Sequence, residues 1–414
     1  MKKFFKILSI CMTIIFSFLF AAGSYASYSL PDNFKVTQNC STDIKTYVPV
    51  KIKTQQTNEC LTLFNHKHFA KKQYNTNLLL MDLIPIKTVN VEIVEEKKII
   101  PAGIPFGVKI FTQGVLIVGI SDIETENGLE NPAKLTGLKK GDVILTVNEN
   151  EIKSNEELIK IVENCGGESL KIEVMRNNMR FDLQIQPVKC CIDNAYRIGI
   201  WVRDSSAGIG TLTFLDPESH VFGGLGHGIC DIDTGELLPL SHGDIVKASI
   251  NGIVKGTKGI PGELKGYFLD SEPIGELSQN TNLGVYGTLT NTQNSNEPIV
   301  LAMKQQVQKG KAQMVTTIDG MSPQHYDIDI QSINYNEALQ TKNMIIKITD
   351  ENLLSQTGGI IQGMSGSPII QNGMLVGAVT HVFINDPQKG YAIFAENMLP
   401  YLTSSAYTEH KKAS

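Results

Sequence analysis

Short apolar runs separated by turn residues dominate the second half of the chain. The runs are rich in β-branched residues, and Gly, Pro, Asn and Asp stand between them. They cover residues 198–202, 209–214, 252–255, 284–290, 299–303 and 344–348. Many short strands at this spacing are typical of a sandwich or a barrel. The pattern predicts a mainly β domain over residues 189–414.

Residues 96–188 follow a different order. Strand-like runs at 106–108 and 115–120 precede a short helix that begins at Pro132. Ser154 and Glu157 have the spacing of a capping box, and the helix after them carries Leu158 and Val162 on one face. Another strand follows at 170–175. The order predicts a separate module of about 90 residues.

The N-terminus has the pattern of a secretory leader. Lys2, Lys3 and Lys6 precede an apolar run at 7–22, and small residues stand at 24 and 26. Residues 1–26 are therefore predicted to be a signal peptide, cut after Ala26, or a retained membrane anchor. Residues 27–95 are a polar N-terminal segment, predicted to be loosely structured up to residue 77 and strand-like from 78 to 94. His66 and His68 within it fit a solvated patch better than a metal site.

Composition narrows the function classes. The chain has 414 residues, enough for two or three domains, and its net charge of −5 does not indicate nucleic-acid binding. Without Cys11 in the leader, six cysteines remain, of which Cys40 and Cys60 share one polar segment and could pair. Spacing does not fix connectivity, and no disulfide is predicted.

The candidate chemistry centres on a serine loop at 357–383. Ser365 lies between Gly363-Met364 and Gly366, before two apolar runs joined by Asn372-Gly373. An Asn-Gly pair between such runs predicts a hairpin, and glycine permits the tight turn that exposes a nucleophile. The N–H groups of Gly363 and Ser365 would form the oxyanion hole. Ser367 is the rival nucleophile, and the resemblance of this loop to that of double-barrel proteases implies a structural role for it, because a second glycine usually stands at its position.

A serine nucleophile needs a base, and His227 is the strongest candidate. It lies in the glycine-dense string FGGLGHG, which can expose an imidazole. His242 is predicted to be on the surface. His381 lies on the strand after the serine hairpin, where the resemblance of this hairpin to that of double-barrel proteases implies substrate-binding backbone rather than the base. Asp350 ends an alternating strand 15 residues before Ser365, where it could orient the base or could equally form a turn or a helix cap.

A metal site is the competing interpretation of the histidine region. The candidate ligands cluster in sequence at His220, His227, Cys230, Asp231 and Asp233. A second tight ligand pair is missing from the sequence, so no metal and no cofactor are predicted.

The module at 96–188 resembles a PDZ domain through the string GLKKGDVILTVNENEI. The resemblance implies that Phe106, Gly107 and Val108 form the loop that holds a peptide's terminal carboxylate. Leu158 and Val162 would line the groove, although filling the core is an equally good interpretation.

The serine loop and its hairpin resemble those of proteases with two β-barrels. With FGGLGHGICDIDTG, KITDENLLSQTGGIIQGMSGSP and GYAIF in this order, the chain resembles the sporulation stage IV protein B peptidases of endospore-forming Firmicutes. The resemblance implies a PDZ domain followed by a trypsin-like double β-barrel. The family's catalytic residues fall on His227, Asp350 and Ser365.

The family resemblance also implies a biological role. It implies a serine endopeptidase exported into the intermembrane space of the forespore, which trims itself and cleaves a membrane-bound regulator of an intramembrane protease. That cleavage leads to activation of a late sigma factor. The alternative is a non-catalytic exported scaffold that binds peptide tails. Met364 replaces the Asp that precedes the serine in trypsin-like enzymes, so activation by a buried N-terminal ammonium is not expected.

Overall fold

The structure is a computed structural model that describes residues 2–37, 43–44, 50–52, 73–80, 83–270, 272–290 and 297–402. Helix α1 (Lys2–Ser29) is followed by a five-stranded sheet in the order β1-β5-β4-β3-β2. Its strands are β1 (Asn33–Val36), β2 (Asp43–Ile44), β3 (Val50–Ile52), β4 (Gln73–Leu80) and β5 (Ile84–Ile93). Across these described ranges, no helix is both long enough and apolar enough to cross a membrane.

The expectation of a loosely structured segment up to residue 77 is wrong for the part of it that the structure describes. Strands β1 to β4 lie there, and β4 pairs along its length with β5. Phe34 and Leu78 are buried and belong to the same apolar cluster as the core of the C-terminal barrel. The strand-like pattern predicted for residues 78–94 is confirmed in β5. Cys40, Cys60, His66 and His68 lie outside the described residues.

The next stretch forms the PDZ-like module. Its sheet has the order β7-β10-β12-β13, and two helices lie against it. The elements of this stretch are β6 (Lys98–Pro101), β7 (Pro105–Ile120), β8 (Ile123–Thr125), β9 (Gly128–Glu130), α2 (Pro132–Thr136), β10 (Val143–Val147), β11 (Asn150–Glu151), α3 (Asn155–Glu163), β12 (Leu170–Arg176), β13 (Met179–Ile185), β14 (Val188–Lys189) and β15 (Tyr196–Arg197). Both predicted helices are confirmed, and Ser154 Oγ caps α3 by accepting from Glu157 N.

The remaining elements build two closed barrels. They are β16 (Ile200–Leu215), β17 (Val221–Gly224), β18 (Leu240–Val254), β19 (Glu263–Phe268), β20 (Gly275–Thr281), β21 (Gly284–Leu289), β22 (Ile299–Leu301), β23 (Gly310–Thr316), β24 (Gln324–Ile333), β25 (Met344–Ile348), α4 (Glu351–Thr357), β26 (Pro368–Gln371), β27 (Met374–Val382), β28 (Lys389–Phe394) and α5 (Ala395–Met398). Short 3-10 helices cover Lys304–Gln306, Glu337–Leu339 and Leu399–Leu402.

Each barrel closes through six strands. The first runs β7-β16-β17-β21-β20-β18 and returns to β7, and the second runs β23-β24-β25-β28-β27-β26 and returns to β23. Strands β6 and β22 link them, because β6 pairs with β16 and β22, and β22 pairs with β27. The predicted double β-barrel is therefore present.

Strands β7 and β16 belong to both the PDZ-like module and the first barrel. Each has 16 residues, and they pair from Ile200 opposite Ile120 to Thr211 opposite Pro105. Gly114 bends β7 between the two units, with a φ of 74° and Ile144 O 2.3 Å from where a Cβ would stand. The predicted boundary at 188/189 therefore does not separate two folding units, because the first half of β7 closes the barrel. Strands β7 and β16 are far apart in the sequence, so the apolar pattern of either strand could not show that the two pair.

A buried ion pair stabilises the PDZ-like module, and its loss is the first testable prediction. Asp142 is 1% exposed and accepts hydrogen bonds from Arg176 and from Lys139 N. We expect Asp142→Ala to lower the free energy of unfolding by about 2 kcal/mol, since Arg176 loses its charge-assisted hydrogen bonds and Lys139 N loses its acceptor. Asp182→Ala breaks an exposed pair with Lys171 that water and salt screen, and its effect should be much smaller. Denaturant unfolding of both variants measures the difference, and equal losses would contradict the argument.

Candidate active site

Ser365 lies on a turn that enters the β26–β27 hairpin. Asn372 and Gly373 join the two strands with φ angles of 52° and 75°, which confirms the predicted hairpin. Gly366, with a φ of 95°, lets the loop lie directly on β16, because a Cβ there would stand 2.0 Å from Thr211 O. The glycines around the serine therefore serve close backbone approach.

His227 follows β17 on a second tight loop. Leu225 and Gly226 both have left-handed backbone angles, with φ of 65° and 68°. A Cβ on Gly226 would stand 3.0 Å from Thr380 Cγ2, so this loop lies against β27 of the other barrel. A Cβ on Gly366 would stand 2.5 Å from Leu225 N, so the loop that carries His227 and the loop that carries Ser365 are in contact.

The structure brings His227 and Ser365 to one cavity of about 900 Å³ between the barrels. The first barrel contributes β16 residues 206–210, and the second contributes Thr380 and His381. Ser365 Oγ donates to Thr380 O over 2.7 Å. The rings of His227 and His381 are 5.1 Å apart.

Backbone geometry fixes the orientation of the His227 ring. Nδ1 lies 2.8 Å from Gly228 O, and because a carbonyl only accepts, Nδ1 carries the hydrogen. Nε2 then keeps its lone pair and can act as a base. Burial of the ring lowers the pKa of His227, with the Gly228 carbonyl opposing this effect. The imidazole is therefore neutral at physiological pH.

His381 reinforces this electrostatic environment. Partial burial of its ring, together with the neighbouring His227 and Lys342, lowers the pKa of His381 to about 4. Its location on β27, in the wall of the cavity, agrees with the predicted substrate-binding strand.

Gly363 and Ser365, the predicted oxyanion-hole residues, present unpaired backbone N–H groups beside the nucleophile. Within the described part of the chain, the N–H groups of both residues have no hydrogen-bond partner, whereas those of Met364 and Gly366 donate to Ile361 O and Val379 O. Both Gly363 and Ser365 line the cavity. Two unpaired N–H groups beside a nucleophile can stabilise a developing oxyanion.

Asp350 does not join His227 and Ser365. Its carboxylate caps α4 by accepting from Leu353 N over 2.9 Å, and the residue does not line the cavity. Burial and the Gly228 carbonyl, with no carboxylate among the described residues, account for the pKa of His227. The predicted orienting role is therefore not supported by the geometry, because a strand end that leads into a helix uses its carboxylate for the cap.

Ser367 and the acidic cluster near His227 have structural contacts. Ser367 is buried and donates from Oγ to Thr316 Oγ1 over 2.8 Å, which fits the predicted structural role. Asp231 and Asp233 pair with Arg203. Among the described residues, no group of three or more His, Cys, Asp or Glu side chains has the arrangement of a metal site.

The residues predicted to form the peptide-binding loop of the PDZ-like module lie in a strand of the first barrel instead. Phe106, Gly107 and Val108 lie inside β7 and pair with β16 on one side and β18 on the other. Their backbone is thus engaged in a ladder within the first barrel and cannot hold a carboxylate as predicted. Leu158 and Val162 are buried in the module and also line a groove of about 460 Å³.

Residues 198–202 form the opposite wall of this groove. In the described part of the chain, the N–H groups of Ile198 and Gly199 have no hydrogen-bond partner. Gly199 has a φ of 79° and lies where a Cβ would be 2.7 Å from Ser121 O. The apolar-Gly-apolar string Ile198-Gly199-Ile200 was visible in the sequence and would have identified this loop, but it follows the module rather than preceding it.

Comparison with known proteins agrees with the two units. Residues 194–399 match the family described as SpoIVB peptidase S55, and residues 118–186 match the PDZ domain family. The resemblance predicted from the sequence is confirmed, and the chain is a serine peptidase that carries a PDZ domain.

Two solved structures of other proteins match parts of this chain. The PDZ domain of an SdrC-like protein of Listeria monocytogenes is 22% identical, with 22% of this chain and 87% of that chain covered and a TM-score of 0.18. A protease of M. tuberculosis in its active form is 14% identical, with 48% of this chain and 73% of that chain covered and a TM-score of 0.29.

The position of Asp350 leads to a second prediction. Asp350→Asn retains a capping oxygen, so we expect peptide cleavage within about threefold of the wild type. Asp350→Ala should lower the free energy of unfolding by about 1 kcal/mol through loss of the cap. Rates of peptide cleavage and denaturant unfolding measure the two effects. A loss of about 10⁴-fold in Asp350→Asn would instead identify a residue that orients the base.

The environment of His227 predicts the pH dependence. Burial lowers the folded-state pKa of this residue below the ordinary value of 6.5. The neutral ring is the base, so activity is present above the lowered pKa and is lost as the pH falls through it. We expect the acid limb of kcat/KM for a peptide substrate to have its midpoint below 6.5. A midpoint at 7 or above would show that the base is not the buried imidazole.

Proposed function

Because the chain belongs to the SpoIVB peptidase S55 family over residues 194–399 and carries a PDZ domain, we propose that it is an exported serine endopeptidase of sporulation. In this proposal it acts in the intermembrane space of the forespore. It cleaves itself and a membrane-associated regulator of an intramembrane protease, which leads to activation of a late sigma factor. The leader pattern at residues 1–26 supports export, and the family name supports sporulation.

The observation that carries the proposal is the meeting of His227, Ser365 and two unpaired N–H groups in one cavity. Rotation about the Cα–Cβ bond of Ser365 releases its hydroxyl from Thr380 O toward the imidazole. Ser365 Oγ then attacks the peptide carbonyl while His227 Nε2 takes its proton. The N–H groups of Gly363 and Ser365 receive the oxyanion. His227 returns the proton to the leaving amine, and water repeats the sequence on the acyl-enzyme.

The Gly228 carbonyl performs the task that a carboxylate has in the familiar triad. It accepts from Nδ1 and so holds the tautomer that leaves Nε2 basic. A carbonyl carries no full charge, so it stabilises the imidazolium less than a carboxylate would.

The cavity walls indicate an extended, apolar stretch of substrate. Ile209, Ile229 and Ile361 are among the side chains that line it. Residues 380–382 of β27 pair with β28 on one side only within the described part of the chain. A substrate can therefore pair with the other edge of β27 as an added strand.

Exchange of the nucleophile tests the proposal. We expect Ser365→Ala to lower self-cleavage at least about 10⁴-fold, while Ser367→Ala, at a serine bonded to Thr316, keeps the wild-type activity to the extent that it folds. The masses of the fragments formed during incubation report the cleavage. Labelling of intact protein by a fluorophosphonate should follow the same order. Unchanged cleavage in Ser365→Ala would reject this nucleophile, and loss of activity only in Ser367→Ala would reassign it.

A further inference from the structure

The PDZ groove and the catalytic cavity lie on the same strand. Residues 198–202 line the groove, and residues 206–210 of β16 line the cavity. The strand then reaches the nucleophile loop, where Thr211 N donates to Ser365 O over 3.2 Å. One strand therefore connects the two sites without a break in the chain.

One edge of this strand is open between the two sites. β16 pairs with β7 along residues 200–211, with register shifts after Trp201 and between Arg203 and Ser205, and its pairing with β17 begins only at Leu212. In the described part of the chain, no strand pairs with the other edge of residues 200–211. An edge of this kind offers unpaired N–H and C=O groups to an added strand.

The hydrogen-bond pattern shows which way the edge faces. Ser121 N donates to Gly199 O, so Ile200 and Ile120 form a non-hydrogen-bonded pair. The N–H and C=O of Ile200 therefore point away from β7, toward the groove beside α3. Asn155 N donates to Asp204 Oδ2 and fixes the N-terminus of α3 beside β16. Helix α3 thus flanks β16 as far as Asp204, and the strand continues from there to the cavity-lining residues 206–210.

The direction of the bound peptide follows from the sites at the two ends of the open edge of β16, the PDZ groove and the catalytic cavity. A terminal carboxylate is received by the unpartnered N–H groups of Ile198 and Gly199, at the beginning of β16. A peptide that extends from there along the edge runs antiparallel to β16. Its residues upstream of the carboxyl terminus then arrive at residues 206–210 and at Ser365. The twelve residues from Ile200 to Thr211 span about 36 Å when extended.

We propose that the peptidase cuts a bound chain at a fixed count from its carboxyl terminus. One substrate segment pairs with the open edge of β16, with its terminal carboxylate in the PDZ groove and its scissile bond roughly ten residues upstream. The substrate is thus a protein with a free, apolar and extended carboxyl-terminal tail. This inference rests on the proposed peptidase function and adds the rule that selects the bond.

A photo-crosslinking experiment tests the path without depending on catalysis. Synthetic 16-residue peptides that end in a free valine carry benzoylphenylalanine at the third, sixth or tenth residue from the carboxyl terminus. They are irradiated with the Ser365→Ala protein. We expect the attachment sites to move from the groove wall at 198–202 to the cavity at 206–210. The peptides with a terminal amide should bind at least about tenfold more weakly. Attachment of the tenth-residue probe outside the cavity, or equal binding of the amide, would overturn the proposal.

A matched pair of variants tests the groove. Ile159 is 49% exposed and lines it, whereas its neighbour Lys160 is exposed on the same helix and does not. Ile159→Glu should weaken peptide binding about tenfold or more, and Lys160→Glu should leave it unchanged. Equal effects of the two variants would overturn the groove as the anchoring site.

The wild-type protein separates this inference from the proposed function. When residues are inserted into a substrate peptide between the cleaved bond and its carboxyl terminus, cleavage should move to a new bond. The number of residues between the cleaved bond and the terminus should stay the same. Cleavage that stays at the same local sequence overturns the counting rule and leaves the peptidase function standing. Correct crosslinks with no cleavage of any peptide overturn the peptidase function and leave the binding path standing.

Discussion

The contact between Thr211 and the serine loop holds the active site together. Thr211 N donates to Ser365 O, and Thr211 Oγ1 donates to Gly363 O over 2.7 Å. Thr211 belongs to the first barrel and the loop belongs to the second, so these two hydrogen bonds set the position of the nucleophile across the domain boundary. The absence of a side chain at Gly366 is what permits this distance. Every group that acts on the substrate is placed relative to this contact.

The neutral base is the second constraint on the chemistry. His227 is held by a carbonyl and lies 5.1 Å from the ring of His381. A second positive charge at that distance would disfavour protonation of either ring, and burial acts in the same direction for both. The site thus keeps an unprotonated imidazole ready, but it provides little stabilisation for the imidazolium that forms during catalysis.

The sequence allowed the local parts of this site to be predicted, and the structure shows why others were missed. The loops of His227 and Ser365 were recognisable because glycine is favoured where the backbone turns left-handed, as at Gly226, and where it approaches another strand closely, as at Gly366. Asp350 could not be assigned in the same way, since a carboxylate that caps a helix and one that orients a histidine look alike in sequence. Phe106 was misplaced because the partners of β7 come from residues about 100 positions later, and the pairing of distant strands leaves no local signature.

The sharing of β7 and β16 has a consequence for how this protein can change over generations. The PDZ domain is inserted between β7 and β16, two adjacent strands of the first barrel, and is not joined to the barrel by a linker. A gene fragment that starts after the PDZ domain would lack β7 and would encode a first barrel of only five strands. A fragment that ends with the PDZ domain would contain only the first part of β16. A simple cut at one end of the PDZ domain therefore breaks the barrel, and the PDZ domain and the peptidase domain are inherited as one piece.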